Sequence, residues 1–174
     1  AVHGRQGAGQ VGMGGSAGSA KLLIFAASYA QGLSPGKPIL WAEFGYSAWS
    51  GSAFEIQPGL YAEQAAVAGR ICENVQASRA AGAVIWWFPG GYRRGEESDF
   101  GIVNPDNTVR PVETVIRKWA PILTAPAPPV QWKPEIRVRR EDSVRGYSGI
   151  YERVKDRFWS SITSDTIPLV VPER

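Results

Sequence analysis

The sequence predicts an α/β fold, and three observations carry that expectation. Two short runs, KPILWAEFG (37–45) and AVIWWF (83–88), are almost wholly apolar, and the stretch between them is long enough for a loop and a helix. A strand that is apolar on both sides needs cover on both faces, which parallel sheets receive from the helices that connect their strands. Strand, loop, helix and strand in that order form a right-handed βαβ crossover, so the predicted sheet is parallel.

The elements follow in order. Residues 1–18 form a Gly-rich loop, since seven of the first nineteen residues are Gly and few large side chains accompany them. AKLLIFAASYAQG places apolar residues at helical spacing over about residues 19–31, with Gly32 as the stop and Pro35 beyond it. A strand over about 38–43 follows between Pro38 and Gly45. Residues 46–59 read as a Ser/Gly-rich loop with exposed aromatics, about 60–80 as a helix stopped at Ala81-Gly82, and 83–88 as the second strand. The segment PGGYRRGEESDFGIVNPDNTVRP is a polar loop ending in an Asn-Pro-Asp-Asn turn, and a helix over 110–119 takes Pro111 in its first turn. Residues 121–134 form a Pro-rich connector that is stiff and extended. The remainder, 135–174, is a small appendage in which IRVRR alternates like an edge strand and 149–162 form an amphipathic helix. Its face of Ile150, Tyr151, Val154, Phe158, Trp159 and Ile162 calls for a docking surface.

Composition removes several classes of function. With 44% apolar and 20% charged residues in 174, the chain can bury a core. No window reaches the 18 or more apolar residues of a membrane span, so no membrane partner is expected. One cysteine, Cys72, and one histidine, His3, rule out a disulfide framework and argue against any metal site; no cofactor is expected. The pI of about 9.2 invites a nucleic-acid reading. The charge does not support it: residues 1–100 hold seven basic and seven acidic residues, 101–174 hold twelve and nine, and Arg137, Arg139 and Arg140 run straight into Glu141 and Asp142.

Two motifs compete for function. GAGQVG, with Gly7, Gly9 and Gly12, matches a dinucleotide fingerprint, but no strand delivers it, and Gly14, Gly15 and Gly18 fall where its helix should run. It stands as the alternative, a nucleotide-binding βαβ fragment. Glu43 is more informative. A carboxylate at the C-terminal end of a buried parallel strand costs free energy unless it is paired or put to use. The bland reading is a carboxylate satisfied by backbone amides or an arginine.

K-P-I-L-W-A-E-F-G, followed one helix later by A-V-I-W-W-F, an Arg- and Glu-bearing loop, S-D-F-G-I, an Asp-Asn turn and R-P, resembles the last two βα units of clan A glycoside hydrolases. The resemblance covers about residues 19–120 and implies the C-terminal βα units of a (β/α)₈ TIM barrel, an α/β fold, followed by the appendage. It implies that Glu43 is the nucleophile of a retaining hydrolase of β-glycosidic bonds, and that Trp87, with Trp86 as its rival, floors the sugar subsite. Tyr46 and Trp49 are expected at outer subsites, and Arg93 or Arg94 near the carboxylate. Trp41, two residues before Glu43, is expected to share its strand face and fill the barrel interior. The clan's acid/base Glu has no counterpart here, so the resemblance implies a partner: the N-terminal portion of the same enzyme, as a separate chain or fragment, with a carbohydrate substrate and an extracellular or secreted setting. A non-catalytic carbohydrate-binding half-barrel is the third reading.

Overall fold

The computed structural model describes residues 17–93, 95–126 and 128–173. The elements in order are α1 (Ala17–Leu33), β1 (Leu40–Phe44), β2 (Trp49–Ser50), β3 (Glu55–Ile56), α2 (Tyr61–Ala77), β4 (Gly82–Ile85), α3 (Pro111–Thr124), β5 (Gln131–Val138), α4 (Gly146–Ser160) and β6 (Thr166–Pro172). The fold is mixed α/β, with β1 and β4 parallel and α2 crossing between them. The loop 1–18, with Gly7, Gly9 and Gly12, lies outside the described residues apart from Ala17 and Gly18.

Helix α2 shows why this half holds together. Gln64, Val67, Ala68, Ile71, Cys72 and Val75 are its buried residues, spaced 3, 1, 3, 1 and 3 apart along one stripe. One flank of that stripe packs on Leu23 of α1 with Trp41 and Phe44 of β1; the other packs on Val112, Val115 and Ile116 of α3 with Ile102 and Val103. Burial pushes the Cys72 thiol up to about 11, with the Glu73 charge adding to it.

The C-terminal half contains a second crossover. β5 and β6 pair in parallel, in register from Gln131↔Thr166 to Val138↔Pro172 with an irregularity between Trp132 and Glu135, and α4 joins them. Phe25 of α1, Ile136 and Val138 of β5, Ile150 and Phe158 of α4, and Ile167 and Val170 of β6 form one core. Phe25 sits 5.0 Å from the ring of Phe158 and 5.1 Å from that of Tyr151, both edge-on. α1 therefore serves both halves: Leu23 faces α2, while Phe25 and Ser28 face the β5–β6 unit. Ser28 Oγ donates to Pro168 O at 2.5 Å and accepts from Val170 N at 2.9 Å.

Local expectations change: the connector expected over 121–134 is shorter at both ends, since α3 runs to Thr124 and β5 begins at Gln131. The helix expected to end at Trp119 runs through Pro121 to Thr124. Pro121 withholds the i→i−4 donor from the Arg117 carbonyl, a loss of one bond within a single turn of the helix end, and the Thr124 hydroxyl donates to Ala120 O at 2.9 Å in that turn. Gly32 is no stop: α1 continues to Leu33, and a Cβ at Gly32 would lie 1.9 Å from Val170 O, so glycine is there to let β6 approach. The sequence reading assigned no strand over 166–172; β6 pairs only with β5 among the described residues, a position that tolerates Pro168 and Pro172, and Ser28 serves Pro168 O and Val170 N.

Candidate active site

In an open parallel sheet, ligands meet the carboxyl ends of the strands. The C-terminal ends of β1 and β4 lie side by side, with Phe44 opposite Ile85 and Trp86 N donating to Phe44 O at 2.7 Å. Glu43 and the Trp86–Trp87 pair thus emerge at one edge. The close passage is set by Gly45, where a Cβ would stand 2.4 Å from Trp86 O and 3.0 Å from the Phe100 ring.

The register of β1 slips between Trp41 and Phe44. That irregularity breaks simple alternation, and both Trp41 and Phe44 pack toward the helices. Trp41 consequently packs toward the helices and not as barrel-interior filler; its Nε1 donates to Ser78 Oγ at 3.2 Å. The Glu43 side chain is exposed, and among the described residues its carboxylate has no hydrogen-bond or ion-pair partner. Among the described residues, no amide or arginine satisfies it.

The aromatic groups divide into two sets. Trp86 and Trp87, joined by a cis peptide and half-buried, meet edge-on at 5.6 Å, and Trp87 meets Phe100 at 5.8 Å. The Arg93 guanidinium lies over both indoles, 4.5 Å from the Trp87 ring and 5.1 Å from that of Trp86, while Glu96 holds it through an ion pair of 3.1 Å. Arg93 therefore covers the tryptophans and does not pair with Glu43. Trp49, on the β2–β3 hairpin, packs on Tyr92 at 4.4 Å and on Phe54 at 5.3 Å, so the loops after β1 and β4 touch through it. Tyr46 turns the other way. It packs against the α1–α2 core, and burial, with the Glu63 carboxylate nearby, raises its hydroxyl pKa. Arg94 lies outside the described residues.

Beneath these loops sits a buried ion pair that the sequence reading did not assign. Asp99 and Arg110 have fully buried side chains joined by two bonds, Nη1 to Oδ1 at 3.0 Å and Nη2 to Oδ2 at 2.8 Å. Burial by itself would raise the Asp99 pKa; the Arg110 hydrogen bond and the amides of Gly101 and Gly91 outweigh it and hold the carboxyl below its usual value. Arg110 also donates from Nε to Asn104 Oδ1 at 2.8 Å and lies over the Tyr61 ring at 4.8 Å. S-D-F-G-I and R-P were visible as motifs, and the signal that could have joined them is charge: each sets one ionisable residue among apolar and Gly neighbours.

Among the described residues no group of three His, Cys, Asp or Glu could hold a metal, and no helix is long and apolar enough to cross a membrane.

No family model matches the chain, and no curated protein matches it. Solved structures do. A GH5_18 protein from Streptomyces cattleya in complex with GlcNAc aligns at a TM-score of 0.59 and 15% identity over 88% of this chain and 38% of that one. A GH5_18 protein from Bifidobacterium longum subsp. infantis aligns at 0.59 and 12% identity over 91% and 39%. A GH5_18 variant from Bifidobacterium longum subsp. longum, in complex with Manb1-4GlcNAc, aligns at 0.54 and 14% over 89% and 38%. The likeness establishes the fold as that of part of such a chain; this chain spans about two fifths of the length of those structures.

Proposed function

We propose that this chain supplies the nucleophile and sugar platform of a retaining glycoside hydrolase acting on β-linked oligo- or polysaccharide. The observation that carries the proposal is the exposed carboxylate of Glu43, without a partner among the described residues, at the C-terminal edge of a parallel pair that also bears Trp86 and Trp87. In this mechanism Glu43 attacks the anomeric carbon and forms a glycosyl ester as a second carboxylic acid protonates the departing oxygen. Water, deprotonated by that second group, then releases the sugar. The β-linked disaccharide in one of the similar structures agrees with that linkage class.

The second carboxyl group must stand about 5–5.5 Å from the first. Glu96 and Glu97 are the candidates within this chain, and Glu96 is engaged by Arg93; in this reading the acid/base comes from another portion of the protein, the one that carries the earlier strands. Leu40 and Val84 are exposed on a two-stranded parallel sheet, with Phe88 exposed just beyond it; such a sheet is stable only when covered, and the earlier strands would cover it.

Glu43→Gln in the assembled protein tests the reading. Turnover of β-glycosides is expected to vanish while the melting temperature holds, because the change removes the nucleophile and keeps its shape. Turnover near the parent's level overturns it. The same preparations separate the non-catalytic reading: sugar binding lost in Trp87→Ala, with no hydrolysis by the parent, is the signature of a carbohydrate-binding half-barrel.

A further inference from the structure

We propose that Asp99 and Arg110 are positioning residues, which set the loop after the nucleophile strand and the loop after the tryptophan strand at one fixed separation. This rests on the glycosidase reading of Glu43 and Trp87. Asp99 is bonded to three separate segments. Its main chain holds the first loop: Asp99 N donates to Ser47 Oγ at 3.0 Å, and Asp99 O accepts from Ala48 N at 2.8 Å. Its carboxylate holds the second: Oδ2 accepts from Gly91 N at 3.0 Å and Oδ1 from Gly101 N at 2.9 Å. Arg110, the residue that caps the N-terminus of α3, anchors the carboxylate by its two-bond fork and donates to Gly101 O at 2.9 Å.

Ser47 and Ala48 follow Glu43 by four and five residues, and Gly91 follows Trp87 by four. A shift of Asp99 therefore moves both loops together. A buried ion pair is a weak source of stability, since well-packed apolar residues often do as well. Direction is what apolar residues cannot supply: four donors converge on one carboxylate, and the planar guanidinium fixes its plane. The arrangement is that of a clasp joining the two strand ends that bear the reacting and stacking groups.

Asp99→Asn and Arg110→Lys, assayed in the assembled enzyme on a panel of aryl β-glycosides, test this. The expected result is a fall in kcat of roughly tenfold to a hundredfold per folded molecule, larger than any change in KM, as misplacement of reacting groups produces. Lysine at 110 keeps the charge and loses the fork, so it is expected not to rescue kcat. Either variant retaining the parent's kcat and KM, whatever its melting temperature, overturns the proposal. If the parent turns over no glycoside, the glycosidase reading fails by itself, and the clasp is then judged on the Ala48 amide, which bonds only the Asp99 main chain. Exchange at Ala48 roughly tenfold faster in Asp99→Asn and Arg110→Lys sustains the coupling between loops; unchanged exchange in both overturns it.

Discussion

The two crossovers of this chain share a plan and differ in closure. Each is a parallel pair joined through a helix, β1–α2–β4 and β5–α4–β6. In the second, Ile136, Phe158 and Val170 are fully buried, whereas in the first Leu40 is 62% exposed, Val84 48% and Phe88 just beyond β4 66%. Among the described residues, the first unit has helices on one face of its sheet and leaves Leu40 and Val84 open, although its strands carry the apolar residues of a sheet buried on both. The second unit is complete because α1 lies across β6 and closes its core. The difference teaches that the exposed carboxylate and the exposed apolar strand residues sit on the same incompletely covered parallel pair, the part that the proposed reading completes with further strands.

The strongest way to break the comparison is Phe158→Ala. Phe158 touches Phe25 at 5.0 Å and Trp159 at 5.0 Å, so its removal leaves a cavity between α1 and α4. The expected loss is about 3–5 kcal/mol in urea unfolding, without change in sugar affinity. Unchanged stability with altered affinity would place this unit at the substrate site instead. Gly32→Ala comes next. The added methyl meets the Val170 carbonyl, a backbone group that cannot rotate away, so α1 must separate from β6 at a cost of about 1–3 kcal/mol. A neutral result would show that α1 does not hold the two halves together.

Legibility in the sequence followed the same division. The β1–α2–β4 crossover could be read because its signals are local: two apolar runs of strand length and a helical stripe between them. The resemblance located Glu43 and the tryptophans, and the structure brings their strand ends together. What could not be read depends on contacts between distant segments. β6 takes its backbone partners from Ser28 on a distant helix, Gly32 looks like a stop until Val170 is seen against it, and Tyr46 packs on a core built from α1 and α2. The irregularity between Trp41 and Phe44 defeated alternation for the same reason, since a register slip is decided by the partner strand. Asp99 and Arg110 sit eleven residues apart with two loops folded around them, and neither spacing nor periodicity encodes that meeting.

The smallest expected effect sharpens the comparison most. Leu40 lies on the uncovered face, and in this chain by itself its side chain remains largely in water; Leu40→Ala is then a surface substitution, worth about 0.5 kcal/mol or less. If the face is completed by further strands, the same side chain becomes part of a closed core, and its truncation costs about 2–5 kcal/mol by lost transfer free energy and a new cavity. The measurement is a pair of urea unfolding curves, wild type against Leu40→Ala, recorded first for the chain alone and then for the assembled protein. The decisive quantity is the difference between the two differences, which removes effects of the substitution on the unfolded chain. A cost that grows on assembly shows that the Glu43 face is a core awaiting its other half. A cost equally small in both states shows that the face stays in water, and the acid/base group would then have to reach Glu43 from elsewhere.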